Sequence, residues 1–477
     1  MGATNIKAGC KTLPGGRWRR SLLMGAAAAA GAAIGAPAAS AQDAANSATS
    51  PASPTSIWTQ DTLSGDWGGE RTALNKNYGL TFTINSIDEA FAVVSGGLHQ
   101  QASYEGRTEF TVDDDLQKLL GWSGATTHIT VFQIRDAGQN AESNTGAIAD
   151  PSNIDAWPTT RLFTAYYQQA FDGDRFSLRV GQLAADDEFM ISQTAGGLIN
   201  STWGWPSSFA NDLPSGGPAY PLATPGIRAK FAPTENITVL SAVFSGDPAG
   251  AGCTDPNRQK CDAYGTQFSF SGGAFAISEL QYAVNQGKND KGLPGTYKLG
   301  FWYHTADFAD EFDGLTPAGT VVSLANPAVA APLFHEGNFA FYGIADQTVW
   351  RAGDRSLNLF VRASGSPADR NLISYYVDGG AGFTGFVPGR KDDVLTLGTA
   401  YEKISPDVSA LDSALGNVPR DNEWLFEASY TAQVAPWWTV QPDVQYFIHP
   451  NGGQNPINPA LTLHDAFLAG IRSTIKF

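Results

Sequence analysis

Alternation dominates this chain. From Leu80 the side chains run with a period of two, Leu80, Phe82 and Ile84 against Thr81, Thr83 and Asn85. That period puts the two sets on opposite faces of a strand. The pattern returns at 104–112, 175–181, 296–304, 423–430 and 438–448. It also closes the chain, where Phe467, Ala469, Ile471, Ile475 and Phe477 alternate with Arg472, Thr474 and Lys476. The polar faces carry charge as well as hydroxyls. Glu105, Arg107 and Glu109 share one, and Arg179, Arg228, Lys230, Lys298 and Arg362 fall on others.

Alternation alone fits two architectures. In a soluble sandwich the apolar faces share a core. In an outer-membrane barrel they meet lipid, and the polar faces line a wet lumen. Aromatics near strand ends (Trp424, Tyr430, Trp438, Tyr446) favour the barrel, where such residues form interfacial girdles. So do the links, which are short at 172–174 and 435–437 and long at 137–159, 184–225, 306–337 and 405–422. Bacterial single-chain barrels have even strand numbers. Reading 264–285 as one strand kinked at Gly272-Gly273 gives 16, with both ends periplasmic and every long link outside. The predicted fold is all-β, a 16-stranded antiparallel transmembrane β-barrel, wide enough for an aqueous channel.

One stretch, "LSGDWGGERTALNKNYG" (63–79), breaks the period of two. Trp67, Arg71, Leu74 and Tyr78 fall on one face of a short helix. Asp66 suits its N-cap and Gly79 a left-handed C-cap. This N-terminal periplasmic helix is expected to dock in or under the lumen.

The first residues read as a targeting segment. Lys7, Lys11, Arg17, Arg19 and Arg20 precede the apolar run Leu22–Ile34, and Ala39-Ser40-Ala41 supplies a cleavage pattern. Arg19-Arg20 also fits a twin-arginine signal. The expected organisation is a signal peptide at 1–41, a disordered lead-in at 42–60 rich in Ala, Ser, Thr and Pro, and the barrel at 61–477. Removing the signal leaves 25 basic and 46 acidic residues, a balance that excludes a phosphate-binding stripe and nucleic acid as partner. Cys253 and Cys261 remain in an exported, polar stretch and read as one loop disulfide. No catalytic constellation, metal-ligand spacing or cofactor motif stands out. His335-Glu336 has no second His at zincin spacing, and Gly287-Lys288 is followed by Asn289, so there is no P-loop.

Six blocks, in order, resemble the carbohydrate-selective porins of the OprB family: "LSGDWGGERTALNKNYGLTF" (63–82), "DDLQKLLGWSGATTHITVFQIR" (114–135), "LRVGQLAADDEFM" (178–190), "YPLATPGIRAKFAP" (220–233), "LPGTYKLGFWYHTADFAD" (293–310) and the segment 441–477. The resemblance covers roughly 60–477. It implies an outer-membrane channel that passes monosaccharides, glucose above all, by facilitated diffusion. Its partners are then small-molecule sugars and outer-membrane lipid, with the oligomer open between monomer and homotrimer. No cofactor or metal and no enzymatic activity is expected. Two other readings stay open: a general diffusion porin of low selectivity, and an outer-membrane barrel, enzymatic or structural, that handles surface polysaccharide.

A selective sugar pore needs donors and acceptors at a constriction, aromatic faces, and weak multi-site binding. On the strands the candidates are Glu105, Arg107, Glu109, Arg179 and Arg228; the alternative is that such charges pair across the lumen and hold its shape. In the 184–225 link the candidates are Trp203 and Trp205, with Phe209, Tyr220 and the acceptors Asp186, Asp187 and Glu188. The alternative there is that the rings pack the loop against the wall.

Overall fold

The computed structural model describes residues 56–138, 140–287 and 290–477. The signal segment and the lead-in as far as residue 55 lie outside them. The strands are β1 (Leu80–Ser95), β2 (Ala102–Asp115), β3 (Ala125–Asp136), β4 (Thr160–Phe171), β5 (Phe176–Leu183), β6 (Thr224–Phe231), β7 (Ile237–Ser245), β8 (Ala274–Val284), β9 (Gly295–Leu315), β10 (Val321–Ser323), β11 (Ala331–Ala352), β12 (Arg355–Gly365), β13 (Ile373–Thr384), β14 (Val394–Ile404), β15 (Asn422–Ala435), β16 (Trp438–Ile448) and β17 (Ala466–Lys476). β10 is a three-residue rung that pairs only with β9, inside the loop that β9 and β11 flank. The other 16 pair antiparallel with their neighbours in chain order, and β17 returns to β1 with Asn85 opposite Lys476 and Ile87 opposite Thr474. Among the described residues no strand edge is left open, as a membrane-spanning sheet requires.

The period-two pattern sets the two faces. On β9, Leu299 is 67% exposed and Phe301 47%, while Trp302 and His304, on the alternate positions that follow, are 0% exposed. The outward set meets lipid and the inward set meets the barrel interior. Short links join strands at one end (172–175, 353–354, 436–437) and loops fill the other (137–159, 184–223, 246–273, 405–421). In outer-membrane barrels the short links are periplasmic and the long ones extracellular.

Two strand readings change. Residues 264–273 are not the first half of a kinked strand; they belong to the 246–273 loop, and β8 begins at Ala274. Gly272 and Gly273 hold φ of +80° and +81°, which ends pairing where a side chain at either position would strike Asp247 or Thr305. The count of 16 survives. The 306–337 link is mostly strand, because β9 and β11 run on beyond their neighbours and leave only 316–330 between them.

The opening helix also starts later than its pattern suggests. Trp67–Gly69 is a 3-10 turn with Trp67, Gly68 and Gly69 at positive φ, and the α-helix α1 spans Glu70–Tyr78. Asp66 accepts from the Thr72 amide at 2.9 Å without being the geometric cap. Gly79 is the left-handed C-cap expected. The helix buries none of its residues, and Trp67 and Tyr78 are exposed; it lies under the lumen at the short-link end, where Asn75 borders the cavity described below. Arg71 ties it to the barrel seam, donating to the main-chain oxygens of Phe477 (2.9 Å) and Phe82 (2.5 Å). Ahead of it, Trp58 stacks on Trp437, whose indole N–H donates to the Ile57 carbonyl at 2.7 Å.

The inner wall is not polar throughout. Leu240, Phe244, Phe275, Ile277, Trp302 and Tyr342 point inward from β7 to β11, and Phe189, Met190, Trp205, Phe209 and Leu213 of the 184–223 loop cover them. A second apolar patch joins Leu198 and Trp203 to Phe360, Ile373, Tyr376, Leu425 and Phe447. The long loop is thus folded into the barrel as a lining, held by apolar burial on one half of the wall.

Candidate functional site

Charged residues on the inner wall fasten this lining. Glu279 accepts from the Met190 amide at 2.9 Å. Asp346 accepts from Ser192 Oγ (2.6 Å), Thr194 N (2.9 Å) and Thr194 Oγ1 (2.7 Å). Glu427 takes the Ile199 amide at 2.5 Å, the Asn200 amide at 3.2 Å and the Trp203 indole at 2.6 Å. Arg362, fully buried, pairs with Asp378 at 2.5 Å and donates to the carbonyls of Met190, Thr202 and Gly204. These groups sit on β8, β11, β12, β13 and β15, so the loop is pinned over most of that arc. A neighbouring loop, 137–159, is held by Glu423, which accepts from Ile148 N (2.8 Å) and Ala149 N (2.9 Å). Backbone amides that turn inside a barrel need acceptors, and wall carboxylates supply them.

On the β2–β5 arc the same loop meets the wall through Ala184, Tyr220 and Ala223, which pack with Ala156 over Phe132 and Phe163. On the inner face of this arc Arg107 rests against two rings, its guanidinium carbon 4.6 Å from the Phe132 centroid and 4.8 Å from that of Tyr220, which meet each other edge to face at 5.5 Å. No carboxylate lies within salt-bridge distance of it among the described residues; Asp186 is an electrostatic neighbour. Both rings lie to one side of the guanidinium, which leaves its other side clear of them, while its Nε is enclosed without a hydrogen-bond partner. Burial raises Asp186 to about 6, although it accepts from the Tyr220 amide at 2.9 Å.

Toward the short-link end the same arc opens into a cavity of about 370 Å³. Asp113 of β2, His128 of β3, Tyr166 and Gln168 of β4 and Arg179 of β5 line it, with Lys118 from the turn after β2. Arg179 lies over the Tyr166 ring at 4.1 Å, and Tyr166 stacks on His128 at 4.1 Å. Arg179 also donates to Gln168 Oε1 (3.1 Å) and pairs with Glu188 (3.2 Å). The cavity is at the small end of the roughly 300–1,000 Å³ that small-molecule sites occupy.

The sequence-predicted residues divide between this track and the scaffold. Arg107, Glu109 and Arg179 line the β2–β5 arc, Glu109 as an electrostatic neighbour of Asp187. Arg228 is 3% exposed and fully engaged, by Glu188 at 2.7 Å, Ser177 at 3.0 Å and Gln168 at 3.0 Å. Glu105 is buried and accepts from the Ala141 amide at 2.8 Å. Trp203 and Trp205 pack the loop onto the wall; the Trp205 indole donates to Gly216 O at 3.0 Å and its ring meets Phe209 edge-on. Cys253 and Cys261 are bonded within the 246–273 loop. Sequence reasoning missed Phe132 and Tyr166, which sit at inward positions of β3 and β4 where period two would have placed them. It also missed Glu279 and Asp346, whose partners lie far along the chain.

Sixteen strands closed without an edge, an outward apolar face, short links at one end and a long loop folded through the lumen define an outer-membrane porin, a transport protein. Residues 99–477 match the carbohydrate-selective porin family OprB, and the chain belongs to that family. It is similar to Porin B of Pseudomonas aeruginosa, 27% identical over 458 residues that cover 87% of this chain and 90% of that protein. It is similar too to the putative porin QuiX of Acinetobacter baylyi, at 24% identity over 460 residues, 88% of this chain and 94% of the relative. Among solved structures, the high-pH form of Pseudomonas putida OprB superposes with a TM-score of 0.76 at 21% identity, covering 89% of this chain and all of that one. That likeness carries the fold.

Proposed function

We propose that this porin passes glucose-type monosaccharides by facilitated diffusion along the β2–β5 arc of its lumen. The observation that carries this reading is Arg107, resting against the Phe132–Tyr220 ring pair with no carboxylate in salt-bridge distance among the described residues. Its terminal N–H groups suit a neutral polyhydroxyl solute, which offers acceptors and no charge, while its Nε is enclosed. Asp186, Asp187, Glu109 and Asp113 supply acceptors along the same path. Arg179, stacked on Tyr166 at the cavity below, supplies a second contact. Two weak stations in series suit flux, since a solute must leave as readily as it enters.

The test is single-channel current in a planar bilayer. Glucose added to either side should block the ionic current in a concentration-dependent way, and a charged solute of similar size should block less. Equal block by both would assign the general-diffusion reading instead.

A further inference from the structure

We infer that the extracellular mouth holds a calcium site, built from Glu142, Asp150 and Asp155 of the 137–159 loop. One carboxylate oxygen from each lies within 4.8 Å of the other two. Oxygen ligands at roughly 2.3–2.6 Å from calcium stand at most about 4.6–5.2 Å apart across the ion. The same span for magnesium is about 4.0–4.2 Å, and magnesium tolerates less departure from an octahedron. An all-oxygen, all-carboxylate set selects a hard cation over zinc or copper.

A second observation points the same way. Glu105, at the foot of the cluster on β2, is 2% exposed. Its Oε1 holds the Ala141 amide, and its Oε2 is buried with no hydrogen-bond donor. Its charge acts on both Asp150 and Asp155. Asp155 Oδ2 is likewise buried without a donor. Among the described residues, no lysine or arginine pairs with any of these four groups; the charges acting on Asp150 and Asp155 are all carboxylates. An unpaired cluster of this kind is unstable unless protons or a cation neutralise it. Glu142 is the exposed member and gives the ion its entry.

The site has a mechanical consequence. Asp150 accepts from the Ser201 amide through its main-chain oxygen (2.9 Å), and Asn153 N donates to Ile199 O (2.9 Å). Calcium there would lock the 137–159 loop to the lining loop as well as to β2. This inference rests on the geometry of the loop and not on which solute the pore carries.

Calcium alone is the probe, added to folded, chelator-stripped porin in detergent and followed by titration calorimetry. One saturable site per chain is expected, with affinity in the range of extracellular modules, roughly 10⁻⁴–10⁻³ M. Glu142→Gln alters only an exposed side chain and should weaken binding at least tenfold; Asp150→Asn with Asp155→Asn should abolish it. Calcium should also raise the unfolding temperature of the parent protein and not that of the double variant. Absence of saturable binding, or binding unchanged in E142Q, overturns the site.

Discussion

At the scale of single residues, Arg107 carries the sharpest expectation. Arg107→Ala should weaken glucose block of the channel by roughly tenfold, about 1.4 kcal/mol, the worth of one charge-assisted hydrogen bond. Its ring partners give an independent check. Phe132→Ala leaves the charge in place but frees the guanidinium to wander, so block should weaken while ion selectivity holds. If neither variant changes sugar block, the selectivity resides elsewhere than Arg107. Glu427 makes the contrasting case. Glu427→Gln removes a charge that satisfies two amides and an indole of the lining loop, and single-channel conductance should rise as the loop loosens. Arg107 could be singled out from sequence because carboxylates flank it two positions away on the same face. That Arg228, directly opposite Arg179 on the next strand, is wholly bound and Arg179 borders a cavity could not. Both read identically as inward arginines, and only the placement of Glu188 and Gln168 between them separates scaffold from channel.

At the scale of elements, the strands were legible and the loops were not. Period two names a face locally, so β1, β2, β5, β9 and β15 could be written down with their inward and outward sets. Where a strand ends depends on pairing across the sheet, and there the reading slipped. The Gly272-Gly273 pair reads as a kink, yet its left-handed backbone marks where β8 begins, and the extension of β9 and β11 past their neighbours carries no sequence mark. The topology is testable directly. A tag inserted at 316–330 should be reached by antibody on intact cells, and one at 291–293 should not; the reverse would place the short links outside. The opening helix has its own test. Arg71→Ala removes two bonds between α1 and the seam of β1 and β17, and the heat-modifiable barrel should unfold at lower temperature, by about 1–2 kcal/mol if both bonds are lost.

At the scale of the whole molecule, acidity couples the loops to pH. Asp186 titrates near 6 in the folded protein and about 3.9 in an unfolded chain. Between those values the folded state holds a proton the unfolded one has released. Lowering pH from 7 to 5 therefore favours the seated loop, and raising it through 6 removes that contribution. Amides of 184–223 should exchange more slowly at pH 5 than at pH 7 after correction for the intrinsic rate. The acidic balance also predicts cation preference in zero-current potentials, declining over the same range. The apolar stretch of inner wall on β7–β11 has a further consequence, and it concerns the order of construction. Until the 184–223 loop is in place, the apolar patch of that inner face stands bare to water. Closing the β17–β1 seam first would trap the loop outside its own mould. The lining must therefore be drawn in while the sheet is still open, which makes the loop a folding template as much as a finished constriction.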